Sequence, residues 1–323
     1  MPNTKSKYQL STEENKQYFQ KEILPEYKLG KDFTAKEQPI AHFTAGIPGA
    51  GKSNIVEEWK RENPNIVVID ADKLRKRHPN RDKIQQEHGP DAAKITHPDA
   101  ISWVEQLNDE AIKSKTDYIL DGSMRDPVWA KYDIDKAINT GYNVEVTMVG
   151  VNKYESLQGV NDRYAKEYAV NPKQARFVDP AFVKEANISI KESAAVIDSL
   201  DIKQFKIVDR SGEVVFDSTK DTKGTAKEKL ENHTDLKNWT PEKLDTLKQN
   251  FAKSVDRLTE VKAPQEVINS AKSDQSSLNT QIKDIKQTSM NEKDLYEKVK
   301  AFKESRPENN LGKEKFKGLE MKR

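Results

Sequence analysis

Eight residues, GIPGAGKS at positions 46 to 53, restrict the fold of this chain more than any other stretch. They join an apolar run, PIAHFTA, to a polar segment of helical character, NIVEEWKREN. Gly46, Gly49 and Gly51 fall where a strand must turn sharply into a helix, and without side chains there successive backbone N–H groups converge on one anion. Lys52 adds a mobile positive charge at the β- and γ-phosphates. The Ser53 hydroxyl stands where it ligates Mg2+ at the first turn of a helix whose dipole also favours an anion. The complete pattern G-x-x-x-x-G-K-S, comprising Gly46, Ile47, Pro48, Gly49, Ala50, Gly51, Lys52 and Ser53, predicts a Mg-ATP or Mg-GTP site on an α/β sheet. A plain glycine-rich turn before a surface helix is the simpler alternative, and the two flanks argue against it.

The rest of the chain supplies such a sheet. Apolar runs of strand length, PIAHFTA, NIVVIDA, DYILDGS, NVEVTMVGV and FKIVDRSGEVVFDS, alternate with helix-length segments. Short, nearly continuous Val- and Ile-rich runs are expected where strands are buried on both faces of a parallel sheet, with right-handed crossovers between them. The last run contains RSG between two strand-like halves and predicts a hairpin at the sheet edge. Before the sheet, residues 1–37 predict a helical segment packed on the core, with a capping box at Ser11 or Thr12 and a proline stop at Pro25. The core domain is expected over 38–219. A Lys-, Glu-, Asn- and Gln-rich extension of two or three amphipathic helices follows over 220–305, one of them capped by Thr240 with Pro241 at its first position, as a hairpin or a partner-binding arm. Residues 306–323 are expected to be disordered. The fold class that results is α/β: a P-loop kinase-like, mostly parallel sheet flanked by helices, with an α-helical C-terminal extension.

Three further stretches carry chemistry. The second run ends VVIDADKLRKRHPN, which places Asp70 and Asp72 at the carboxyl edge of the sheet, on opposite faces if the strand continues that far. A hydroxyl attacking a γ-phosphorus must lose its proton, so a carboxylate there suits a phosphotransferase; two aspartates capping the helix KLRKR are the alternative. The third run ends YILDGSMRDP, and in an extended segment Asp121, Ser123 and Arg125 share one polar face fit for a hydroxyl-rich or phosphorylated ligand; a plain strand-end turn is the equal alternative. Arg163 and Arg176, in GVNDRYAKEYAVNPKQARF, are placed to close over a triphosphate as an arginine lid. Glu105 reads by default as an exposed residue on a helix with Trp103 and Leu107.

The order of these segments, a P-loop, VIDADKLRKRHP, DGSMR, GVNDRY and QAR, resembles the zeta toxin family of bacterial toxin–antitoxin systems over about residues 38 to 219. The resemblance implies a kinase that moves the γ-phosphate of ATP, with Mg2+, to the 3′-hydroxyl of the sugar in UDP-N-acetylglucosamine or a related UDP-sugar, and so poisons cell-wall precursor synthesis. It implies that Asp72 is the catalytic base, that Lys52 is the P-loop lysine and that Arg163 and Arg176 engage the phosphates. It assigns Glu105, Asp121, Ser123 and Arg125 to the UDP-sugar, and it implies a small separate antitoxin covering the nucleotide site. Two departures stand out: Asp121-Gly122-Ser123 replaces the family's usual Glu-Gly-Thr, and Asp133 replaces a threonine that one branch uses for substrate.

Composition narrows the alternatives. Lys and Arg number 55 against 53 Asp and Glu, so no global field favours nucleic acid. The absence of cysteine excludes disulfides, thiolate metal sites and a cysteine nucleophile. No signal-peptide core and no membrane-length apolar stretch is present, so a soluble cytoplasmic protein is expected. A kinase of a dinucleotide ribose or polynucleotide end, and a non-catalytic nucleotide-dependent switch, remain the competing classes.

Overall fold

The structure, a computed structural model, describes residues 6–27, 29 and 35–304. In chain order its elements are α1 (Thr12–Tyr18), a π turn (Phe19–Ile23), α2 (Leu24–Tyr27), β1 (Ile40–Ala45), α3 (Ser53–Glu62), β2 (Val67–Asp70), α4 (Ala71–Arg75), α5 (Arg81–His88), α6 (Ala92–Ser114), β3 (Tyr118–Asp121), α7 (Pro127–Asn139), β4 (Asn143–Val149), α8 (Lys153–Val170), α9 (Pro180–Ser199), β5 (Gln204–Val208), β6 (Val214–Asp217), α10 (Ala226–Thr234), α11 (Pro241–Glu260) and α12 (Gln265–Glu304). The apolar runs become one sheet in the order β2-β3-β1-β4-β5-β6, parallel except for the β5–β6 hairpin at its edge. After β1 the chain builds β2 and β3 on one side and then crosses to β4 on the other. The switch point is therefore the carboxyl end of β1, where a crevice forms and where the GIPGAGKS loop begins.

Burial follows strand position. Ala41, Phe43, Thr44 and Ala45 of central β1 are fully buried, whereas edge strand β2 buries only Val67 and Ile69 and leaves Val68 and Asp70 half-exposed. The expectation of two buried faces thus fails at β2, which has a neighbour on one side only. Helix α3 covers this end: Val56 clusters with Ile66 and Ile119, and Trp59 and Val68 pack against that cluster. At the other end the Phe205 and Phe216 rings meet at a tilt of 58° with centroids 5.5 Å apart across the β5–β6 hairpin, both fully buried and each contributing roughly 1.5–3 kcal/mol.

The N-terminal helix begins at the Ser11 capping box but does not stop at Pro25. The π turn intervenes, with the Leu24 N–H donating to Phe19 O, and Pro25 becomes the second residue of a new helical stretch, where a missing N–H costs no intrahelical bond. Asn15 locks this helix to α6. Its buried amide donates to Asp99 Oδ1 at 3.0 Å, its Oδ1 accepts from Ser102 and Gln106, and its carbonyl accepts from the Trp103 indole at 3.2 Å.

The described residues up to Leu278 form one compact unit and those from Asn279 to Glu304, all helical, a second. Helices α10 and α11 are built into the first unit rather than standing out as an arm. The apolar stripe Leu244, Leu247, Phe251, Val255 and Leu258 is buried along α11, which packs on α8 with the Phe251 and Tyr154 rings 6.2 Å apart. The tail over 306–323, expected to be disordered, lies outside the described residues. No helix among the described residues is long and apolar enough to cross a membrane.

Candidate functional site

The loop after β1 has the backbone its glycines require. Gly49 and Gly51 have φ of +78° and +105°, a region that side-chain-bearing residues rarely adopt. Lys52 folds back over the loop and donates to the Gly46 and Ile47 carbonyls at 2.9 and 3.4 Å, and Ser53 opens α3 from an exposed position. The Gly46 N–H donates to Ser123 O at 2.9 Å, tying the loop to the segment after β3.

Strand register brings carboxylates to this root. Asp121 pairs with Thr44 of β1 on one side and with Asp70 of β2 on the other. The Thr44 hydroxyl donates to Asp121 Oδ1 at 2.8 Å and accepts from the Gly122 N–H at 3.1 Å. Burial raises the Asp121 carboxyl above its usual range, an effect the Thr44 hydrogen bond and Lys52 oppose and Asp70 reinforces. The alternation expected through Ser123 and Arg125 does not persist. The strand ends at Asp121 and Met124 adopts φ of +46°, so Ser123 presents its carbonyl to the loop and Arg125 turns onto the Phe182 ring, 4.5 Å from its centroid.

Strand β2 also ends earlier than the opposite-face reading of its two aspartates requires. Asp70 is the N-cap of α4, accepting from the Asp72 N–H at 2.8 Å, so the capping alternative holds for this residue. Asp72 sits in the first turn of α4, paired through Oδ1 with Arg75 and through Oδ2 with Arg176. Arg176 arrives on the loop between α8 and α9, whose backbone is pinned by the Arg176 N–H donating to Glu167 Oε2 at 2.7 Å. Arg163 projects from α8. Its Nε is buried without a hydrogen-bond partner, which fits a guanidinium that meets an anion in function.

Electrostatics join these groups into one site. Burial drives Lys52 down to about 8, with Arg163 and Arg176 pushing the same way and Asp121 and Asp70 opposing. Binding a triphosphate raises that value, so below about pH 8 no proton is exchanged on binding, whereas above it a proton must be taken up. Mg-ATP affinity is therefore expected to be flat from pH 6 to about 8 and to weaken about tenfold per pH unit above it, which titration calorimetry across that range will show.

Glu105 lies apart, exposed on α6, while Trp103 and Leu107 beside it are buried. Asp133, on α7, is raised to about 6 by burial; Lys136 opposes the shift and Glu105 adds to it. Among the described residues no cluster of three or more His, Asp or Glu side chains forms a metal site. Ser53, exposed at the start of α3, is the side chain of the loop that could ligate a cation together with phosphate oxygens, which suits Mg2+ and its preference for few protein oxygens. Several residues that build the site escaped the sequence reading. Arg75, three residues after Asp72 on one helix face, bridges it to His97 Nδ1 at 2.8 Å, and the i, i+3 spacing was the available signal. Gly159, quoted only as part of GVNDRY, lies against the P-loop, and a glycine inside a helix is itself a sign of close packing.

Comparison with known proteins bears on the family and the fold. The chain is 28% identical to the toxin PezT of Streptococcus pneumoniae over 194 residues, which is 59% of this chain and 77% of that protein. It is 25% identical to a zeta toxin of Enterococcus hirae over 209 residues, 63% of this chain and 72% of the relative. A solved structure from the PezAT chromosomal toxin–antitoxin system of S. pneumoniae superposes with a TM-score of 0.65 at 24% identity, covering 80% of this chain and all of the other, and so shares its fold. Residues 26–221, more than half of the chain, match the Zeta toxin family, and the chain belongs to that family.

Proposed function

We propose that this protein is an ATP-dependent kinase that transfers the γ-phosphate to the 3′-hydroxyl of the sugar in UDP-N-acetylglucosamine or a related UDP-sugar. Such an activity would be toxic through loss of cell-wall precursors and would act in the cytoplasm. The observation that carries the kinase reading is the set of charges around the loop: Lys52 lies within the field of Asp121, Arg163 and Arg176, and Arg176 is paired with Asp72. A switch module needs the loop but not a carboxylate and two guanidiniums around it.

In this reading the amides of the loop and Lys52 hold the β- and γ-phosphates, and Arg163 and Arg176 neutralise charge on the transferring group. Ser53 would hold Mg2+, which when bound would supply positive charge at the phosphates. Asp72 takes the proton of the attacking hydroxyl. Because both of its oxygens are paired, one guanidinium has to give way first. Arg75 is also held by His97, whereas Arg176 stands on a loop and is the one able to follow the phosphates. Asp121, Ser123, Arg125 and Glu105 are assigned to the nucleotide-sugar. Asp121, beside Thr44, and Ser123, whose carbonyl accepts from the Gly46 N–H, stand at the root of the loop. Family membership further supports a small antitoxin protein that covers the nucleotide site.

The test is mass spectrometry of UDP-N-acetylglucosamine after incubation with Mg-ATP. A gain of one phosphate that is lost in both Lys52→Ala and Asp72→Asn is expected. An unmodified sugar nucleotide beside ATP consumed on a dinucleotide or a polynucleotide end would refute the acceptor, and a chain that binds no Mg-ATP would refute the kinase.

A further inference from the structure

The hairpin between β5 and β6 has no part in the kinase reading, yet one of its side chains ends at the P-loop. Asp209 makes the turn rigid. Its Oδ1 accepts from the Ser211 N–H at 2.8 Å and the Glu213 N–H at 2.9 Å, its carbonyl accepts from the Gly212 N–H at 3.1 Å, and Gly212 adopts φ of +92°. Arg210 is thereby aimed back over the carboxyl edge of the sheet. Its Nη2 donates at 2.7 Å to both the Gly49 carbonyl of the loop and the Glu155 carbonyl of α8. Next to it, the fully buried Ser156 hydroxyl donates to the Pro48 carbonyl.

These bonds act on peptide planes. In a trans peptide the carbonyl and the following N–H point in opposite directions, so a carbonyl held on the outer side of the loop fixes the direction of the next amide. Ser156, holding Pro48 O, sets the plane that carries the Gly49 N–H. Arg210, holding Gly49 O, sets the plane that carries the Ala50 N–H, which closes the turn onto Ile47 O at 3.1 Å. We propose that Arg210 is a positioning residue for the P-loop, which with Ser156 clamps its outer carbonyls so that the turn closed by the Ala50 N–H on Ile47 O is already formed, and the loop is in shape, before a phosphate arrives. This inference rests on the kinase reading for its consequence but not for its geometry. A loop already in shape loses less freedom on binding, whereas an unclamped loop must be ordered by the nucleotide itself. Saturating nucleotide then restores the geometry, and the effect falls on KM rather than kcat.

The experiment compares the full chain with Arg210→Met and Arg210→Lys, reading amide hydrogen exchange at Gly49 and Ala50, Mg-ATP affinity, and kcat at saturating ATP. Arg210→Met is expected to speed exchange at those amides with little change elsewhere, and to weaken Mg-ATP about tenfold, the effect of losing one charge-assisted hydrogen bond. Its kcat should stay within about twofold, because bound phosphates take over the alignment. Arg210→Lys, which keeps a charged donor, should recover most of the affinity. Unchanged exchange at Gly49 and Ala50, or a lysine variant as weak as the methionine one, overturns the clamp. Should Arg210→Met not fold, Ser156→Ala provides the same comparison from the other carbonyl. A wild-type chain that binds no Mg-ATP refutes the kinase reading, and the exchange rates then decide the clamp alone.

Discussion

Asp72→Asn is expected to lower phosphoryl transfer by about 10²- to 10⁴-fold while leaving Mg-ATP affinity within a few-fold of wild type. Asparagine keeps the shape of the side chain and its place in the first turn of α4 but cannot accept a proton at neutral pH. The change also releases Arg176, which in the structure pairs with Asp72 Oδ2, so nucleotide binding has no reason to suffer and has a free guanidinium to gain. Measuring kcat and the ATP dissociation constant on the same preparation separates the two effects. A fall of less than tenfold in kcat would show that Asp72 does not take the proton, and a parallel loss of ATP binding would make it a structural partner of the arginines.

The second large effect belongs to a residue with no functional group. A Cβ on Gly159 would lie 2.3 Å from the Gly49 carbonyl oxygen and 3.1 Å from its carbon, and neither backbone atom can yield as the end of a flexible side chain can. Two terms compete in Gly159→Ala. Alanine in the interior of α8 favours the helix by about 1 kcal/mol, while forcing a methyl group into a filled contact costs about 1–3 kcal/mol. Thermal stability is therefore expected to change little or to fall modestly. Nucleotide affinity is expected to drop by more than about tenfold, because the atoms that must move carry the Gly49 end of the P-loop. Melting curves beside ATP titrations test this, and a variant that is more stable with unaltered ATP affinity would show that the loop is not seated against α8.

Both predictions concern residues whose partners lie far away in sequence, and this separates what was legible in the chain from what was not. The P-loop, the Ser11 capping box, the Thr240 cap followed by Pro241, and the strand-length runs were readable because each depends on residues within a few positions of one another. The order of segments that points to the zeta toxin family was equally open to reading, and the family match over residues 26–221 agrees with it. Local rules failed where a neighbouring element intervened. Pro25 does not end the first helix because a π turn shifts the backbone pattern ahead of it, and the Asp121, Ser123, Arg125 alternation stops because the strand ends and Met124 turns left-handed.

The sequence by itself determined that the chain turns from a strand into a helix through the GIPGAGKS loop, and it singled out Asp70, Asp72, Asp121, Arg163 and Arg176 as charged groups along the same domain. Strand order and helix docking decided the rest. Asp121 meets Thr44 because β3 lies beside β1, Arg176 meets Asp72 across 104 residues, and Arg210 reaches Gly49 across 161. Such pairings leave no periodic trace in the chain. They are selected by the burial of whole elements against one another, and only the packed sheet, with the β5–β6 turn and α8 at its carboxyl edge, brings those atoms within hydrogen-bond distance.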